Sequence, residues 1–186
     1  MFLKRQDSFG LVVGMVGVKL GDRLLHIGCA HGGRLGAVAG KVGLSGRAVA
    51  IVPDQASAER AQKGAADAGV LVEVELAPPT QLSFDADSFD LVVVDDSAAL
   101  VGSMRTEDRG TVMRGLMRVL RPGGRAIIIG AAPRAGLGKL FGRAQTGPSF
   151  AASGDANKAL ETDGFRLVRT LAERDGLVFV EGVKPR

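Results

Sequence analysis

Short apolar, β-rich runs alternate with helical patterns along most of the chain, and this alternation restricts the fold more than any other feature. The runs RLLHIG (23–28), AVAIV (48–52), VLVEVEL (70–76), FDLVVVD (89–95) and RAIIIG (125–130) read as strands. Helices are expected from about Gly33 to Lys41 and over 54–69, where Asp54 or Ser57 can cap the start and Gly69 the end. Another is expected over 106–124, with Val112, Leu116, Val119 and Leu120 on one face and Pro122-Gly123-Gly124 forcing a turn. Repeated β-α units imply a parallel sheet with helices on both faces. The continuous apolar core of 89–95 suits a strand buried on both sides. A short helix over 155–164 precedes two last strands, 165–173 and 177–184, joined by the tight turn Arg174-Asp175-Gly176, which marks a hairpin.

A parallel sheet binds ligands beyond the carboxyl ends of its strands, where the strand order reverses. The first strand ends at Gly28, the second near Val52 and the fourth near Asp95, so these three tips are expected to line one cleft. With 186 residues, 46% of them hydrophobic, the chain is read as one domain with a substantial core. The apolar stretch Phe9–Gly21 is too short to span a membrane, and residues 1–20 are expected to form a packing helix over the sheet. The net charge of +4 is spread along the chain rather than gathered in a basic stripe with aromatics, so no nucleic-acid partner is expected. Cys29 is the only cysteine, which excludes an intrachain disulfide and agrees with a cytoplasmic location. The sequence holds no Cys/His metal cluster, G-x-S-x-G elbow or Walker loop.

Four stretches together resemble the class I methyltransferases that use S-adenosylmethionine. GDRLLHIGCAHGG is similar to their first motif, a strand entering a glycine loop. SFDADSFDLVVVDDS is similar to the segment through the fourth strand. LMRVLRPGGRAIIIG is the most specific, and GFRLVRTLAERDGLVFVEGVKP is similar to the terminal hairpin. The resemblance spans roughly Leu20 to Pro185. It implies an α/β fold: a doubly wound, mostly parallel seven-stranded sheet with an antiparallel C-terminal hairpin, the Rossmann-like methyltransferase fold. It also implies S-adenosylmethionine as cofactor and methyl transfer to an acceptor, expected to be a small molecule.

Carried onto this sequence, the resemblance puts the amino acid end of the cofactor against the loop of Gly28, Cys29, Ala30 and Gly32. Gly28, Gly32 and Gly33 would let the backbone approach a ligand. His26 stands where the family usually has an acid; it is either a contact to the methionine end or a core histidine satisfied by backbone groups. His31 is a turn residue or a base. Val52 falls at the place of the acid that grips the ribose hydroxyls. Asp54, after Pro53, either substitutes for that acid or caps a helix. Ala77 and Pro78 border the adenine position. Asp95, with Asp96 and Ser97 after it, is the candidate to contact the cofactor and to orient or deprotonate the acceptor; the alternative is a capped strand end. Residues 131–152, with Arg134, Lys139 and Arg143 among apolar side chains, form either a substrate lid or a solvated loop. Two other readings stay open: a catalytically degenerate, methyltransferase-like scaffold or partner subunit, and a small NAD(P)-binding oxidoreductase, because Gly28, Ala30 and Gly33 also satisfy G-x-A-x-x-G. A homodimer and a complex with another chain are both compatible with the sequence.

Overall fold

The computed structural model describes residues 9–133 and 149–186. Five strands run parallel: β1 (Arg23–Ile27), β2 (Arg47–Val52), β3 (Glu73–Leu76), β4 (Phe89–Asp96) and β5 (Leu120–Ala131). The hairpin β6 (Arg166–Arg174) and β7 (Leu177–Val183) completes a seven-stranded sheet of order β3-β2-β1-β4-β5-β7-β6, with β7 antiparallel to both of its neighbours. The order reverses between β1 and β4, which is the topological switch point. Asp175 and Gly176 both have positive φ, 53° and 76°, and this makes the two-residue turn that brings β7 back along β6.

Helices α1 (Gly10–Val16) and α2 (Gly32–Ala39) cover one face, packing on Leu24, Leu91, Val93, Ile127 and Phe179. Helix α3 (Gln55–Ala68) extends that layer over Ala50 and Val52. On the other face α4 (Thr106–Val119) and α5 (Asp155–Thr162) pack on Leu25, Ile27, Val92, Val94 and Ile128. Strand β4 alternates between the two layers, so Val92, Val93 and Val94 are all fully buried, as its apolar run requires.

Three differences from the expected boundaries have a local reason. Of the expected helix over residues 1–20, residues 1–8 lie outside the described residues, and α1 stops at Val16 because Gly17 adopts the left-handed conformation (φ 60°). Strand β3 begins at Glu73 rather than at residue 70. Gly69, with φ 68°, closes α3, and the Val70 amide bonds back to the Ala65 carbonyl instead of joining the sheet. Helix α4 stops at Val119, not at Gly124. Leu120 is extended and pairs with Phe89, and the Pro-Gly-Gly segment is a bulge inside β5, not a turn ahead of it. Pro122 favours extended backbone at Arg121, and Gly123 supplies a φ of 76°. The bulge is held by Lys184, whose carbonyl accepts from Gly123 and whose amide donates to Gly124, both at 2.9 Å.

The α2–α3 contact depends on absent side chains. A Cβ on Gly64 would run into the Gly32 backbone, and one on Gly36 into the Gly64 carbonyl. Backbone cannot yield there as a flexible side chain could. Gly64→Ala is therefore expected to cost about 1–3 kcal/mol through overpacking, lowering Tm by about 2–4 °C per kcal/mol in a chain of this size. Gly14→Ala in α1, where an added Cβ meets nothing within 4 Å, is expected to leave Tm unchanged or raise it. Thermal melting of the two variants checks this.

Candidate active site

The tips of β1, β2 and β4 lie side by side, with Ile27 in register with both Ile51 and Val94. Gly28 leaves the sheet with φ 78° and still donates its amide to the Ile51 carbonyl at 2.8 Å. A Cβ at Gly28 would approach the Leu100 side chain and the Asp95 carbonyl at 2.8 and 3.0 Å. Thus the loop crosses directly over the β4 tip, and the end of Leu100 lies over the glycine.

Asp95 ties the two strand tips together. Its Oδ2 accepts the Ala30 amide at 3.2 Å, and its Oδ1 accepts the Ser97 hydroxyl at 2.7 Å and the Ser97 amide at 3.3 Å. Arg34, in the first turn of α2, brings Nη1 to 3.4 Å from the same Oδ1 and donates from Nη2 to Ser97 Oγ at 2.9 Å. Both side chains are removed from solvent, with 12% of Arg34 and none of Asp95 exposed. The carboxylate expected to orient or deprotonate an acceptor is therefore charge-paired and hydrogen-bonded within the protein.

His26 lies below this layer. It is buried and in register with Ala50 and Val93, and its Nδ1 is 2.9 Å from the Gly28 carbonyl. Burial lowers its pKa despite the nearby Asp95 carboxylate, so the ring stays neutral and supports the glycine turn from beneath. Burial and this backbone contact are the features of the core-histidine alternative. His31 caps α2, its Nδ1 accepting the Gly33 amide at 3.2 Å, and the Phe9 ring packs on it at 5.2 Å. Gly32 and Gly33 are also packing positions: a Cβ on Gly32 would meet the Arg60 carbonyl of α3, and one on Gly33 the Phe9 ring. Cys29 is buried, and desolvation with the nearby Asp95 charge pushes its thiol up to about 11, so it stays protonated. The Cys29 carbonyl accepts from Arg60 Nε at 3.0 Å.

At the β2 tip, Val52 is buried and its carbonyl accepts the Ala77 amide at 3.0 Å. Asp54 is the N-cap of α3, its Oδ1 accepting the Ser57 amide at 2.7 Å. Pro53, Asp54 and Pro78 form an exposed rim, and Ala77 is half-buried. Of the expected 131–152 lid, residues 134–148, including Arg134, Lys139 and Arg143, lie outside the described residues.

The fold thus brings Gly28, Cys29, Ala30 and Asp95 together and leaves His26 inside the core. Sequence reading did not single out Arg34, Arg60 or Leu100. The one available signal was for Arg34: helix side chains lean toward the helix N terminus, so an arginine just inside α2 leans over the preceding loop.

Residues 25–128, more than half of the chain, match the methyltransferase domain family. The chain belongs to that family. The 27-O-demethylrifamycin SV methyltransferase of Amycolatopsis mediterranei (strain S699) is 37% identical over 117 residues, 61% of this chain and 40% of that protein. Methyltransferase GfsG of Streptomyces halstedii is 31% identical over 111 residues, 60% of this chain and 38% of that one. The alignments thus span about two fifths of these relatives' lengths. Among solved structures, a SAM-dependent methyltransferase from Aquifex aeolicus superposes with a TM-score of 0.72 at 19% identity, covering 95% of this chain and 89% of that one. That likeness concerns the fold, and the expected seven-stranded Rossmann-like sheet with its antiparallel hairpin is the one observed.

Asp96, next to Asp95, points to the α4 face. Its Oδ1 accepts the Val101 and Gly102 amides at 2.6 and 3.0 Å, while Oδ2 has no hydrogen-bond partner among the described residues. Burial raises its pKa and outweighs the two amides. The native state then holds this proton more tightly than the unfolded chain does. Stability therefore declines as pH rises from the ordinary carboxylate value of about 4 through the raised one, and this contribution is flat above it. Asp96→Asn keeps the amide-accepting oxygen but cannot ionise. It is expected to remove that decline, measured as urea midpoints between about pH 4 and 7; an unchanged slope would contradict the assignment.

Proposed function

We propose that this chain transfers a methyl group from S-adenosylmethionine to a small-molecule acceptor. The observation that carries the reading is the crossing of the Gly28–Ala30 loop over Asp95 at the reversal of strand order between β1 and β4, inside the segment matched to the family. The name of the rifamycin-modifying relative supports an acceptor of the small-molecule class.

The residues suit the cofactor's amino acid end. Arg34 and Asp95 carry the charges complementary to its carboxylate and ammonium, and Arg34 Nη1 is a buried donor without a hydrogen-bond partner among the described residues. At the ribose end the β2 tip offers backbone groups of Val52 and Ala77, with Pro53 and Pro78 as apolar rim and the Asp54 carboxylate already used as a cap. The bound cofactor supplies an activated methyl on a sulfonium. The protein's part is to hold the acceptor in line with it, and proximity of this kind lowers barriers by about 7–11 kcal/mol. Asp95 acts here by fixing the loop against the β4 tip, and His26 by supporting Gly28.

A second reading, a scaffold that no longer binds the cofactor, draws on Val52, the Asp54 cap and Leu100 over Gly28. Titration calorimetry with S-adenosylmethionine and S-adenosylhomocysteine separates the two. Binding is expected, and at a tenfold excess over Kd it stabilises the fold by about 1.4 kcal/mol, a rise in Tm of about 3–6 °C. Absence of heat and of any thermal shift at millimolar ligand favours the scaffold.

A further inference from the structure

The Arg34–Asp95 pair has the composition of an amino acid binding site that is occupied by itself. Its two charges lie at the switch point, one in the first turn of α2 and the other at the β4 tip. The contact is an ion pair at 3.4 Å without a direct hydrogen bond; Ser97 bridges the two, donating to Asp95 Oδ1 and accepting from Arg34 Nη2. Nη1 therefore keeps unspent hydrogen-bonding capacity beside a buried carboxylate. A guanidinium in this state is suited to a second planar acceptor.

We propose that the pair is a lock opened by exchange. The α-carboxylate of the cofactor takes Arg34, its α-ammonium takes Asp95, and the two side chains part as the zwitterion enters. This rests on the functional reading above and adds how the site distinguishes its ligand. Breaking a buried ion pair with a singly charged group leaves one charge uncompensated. A zwitterion replaces both partners at once, so every charge is paired before and after. The site thus selects for an intact α-amino acid group rather than for an adenosine alone. Ser97 stays with either partner and keeps the closed form accessible, and Leu100 yields as a flexible side chain end.

The test is a cycle between ligand and protein, read by calorimetric Kd rather than by turnover. The ligands are S-adenosylhomocysteine and its descarboxy analogue, 5′-deoxy-5′-(3-aminopropylthio)adenosine. The proteins are the native chain and Arg34→Gln, with thermal melting to report folding. Loss of the carboxylate is expected to weaken binding to the native chain about tenfold or more, the scale of a charge-assisted bidentate contact, and to Arg34→Gln less than twofold. If Arg34→Gln does not fold, Arg34→Lys replaces it, with at least a threefold smaller penalty than the native chain. Equal penalties in both proteins, or none in the native chain, overturn the lock while leaving the methyltransferase reading intact. If neither S-adenosylmethionine nor S-adenosylhomocysteine binds the native chain, both fall.

Discussion

The parallel pairing of β1 with β4 is the constraint on which the rest of the structure depends. It places two chain segments far apart in sequence side by side, and their following connections leave toward opposite layers. Because Leu91, Val92, Val93 and Val94 are buried alternately on both faces, β4 has no freedom to slide. A shift of one residue would exchange its two faces and turn Asp95 toward α4 and Asp96 toward α2. The register that fills the core therefore also decides which of two adjacent carboxylates meets the glycine loop.

The same constraint distributes charge. Acidic groups around the β1, β2 and β4 tips are each engaged inside the protein: Asp95 with Ala30, Ser97 and Arg34, Asp54 with the start of α3, and Asp96 with the turn at Val101 and Gly102. Two guanidiniums flank the loop, Arg34 over Asp95 and Arg60 on the Cys29 carbonyl.

Much of the architecture was legible in the sequence. Strand positions followed from apolar runs, and those of β1, β2, β4 and the second half of β5 are buried by a layer on each face. The hairpin followed from Asp175-Gly176, a pair that tolerates left-handed backbone. Where the expectation missed, the deciding group was remote or already spent. Val70 is apolar, but its amide is taken by α3. Leu120 continues the helical face of α4, but it is claimed by Phe89 across the sheet. Gly32 also packs against Arg60 and Gly64 of another helix, a contact that no local pattern announces. The Arg34–Asp95 pair was illegible for the same reason, because no local pattern links α2 to the end of β4.

In the hairpin β7, later in the chain than β6, is the strand that lies inside the sheet, between β5 and β6. During synthesis the first five strands can assemble in order, but the β5 margin stays unzipped until β7 has left the ribosome. Only then does the Lys184 backbone clasp the Gly123–Gly124 bulge. Folding of this chain is thus sealed from its carboxyl side, and a nascent chain stalled before β7 would present an adhesive, unpaired margin to its surroundings.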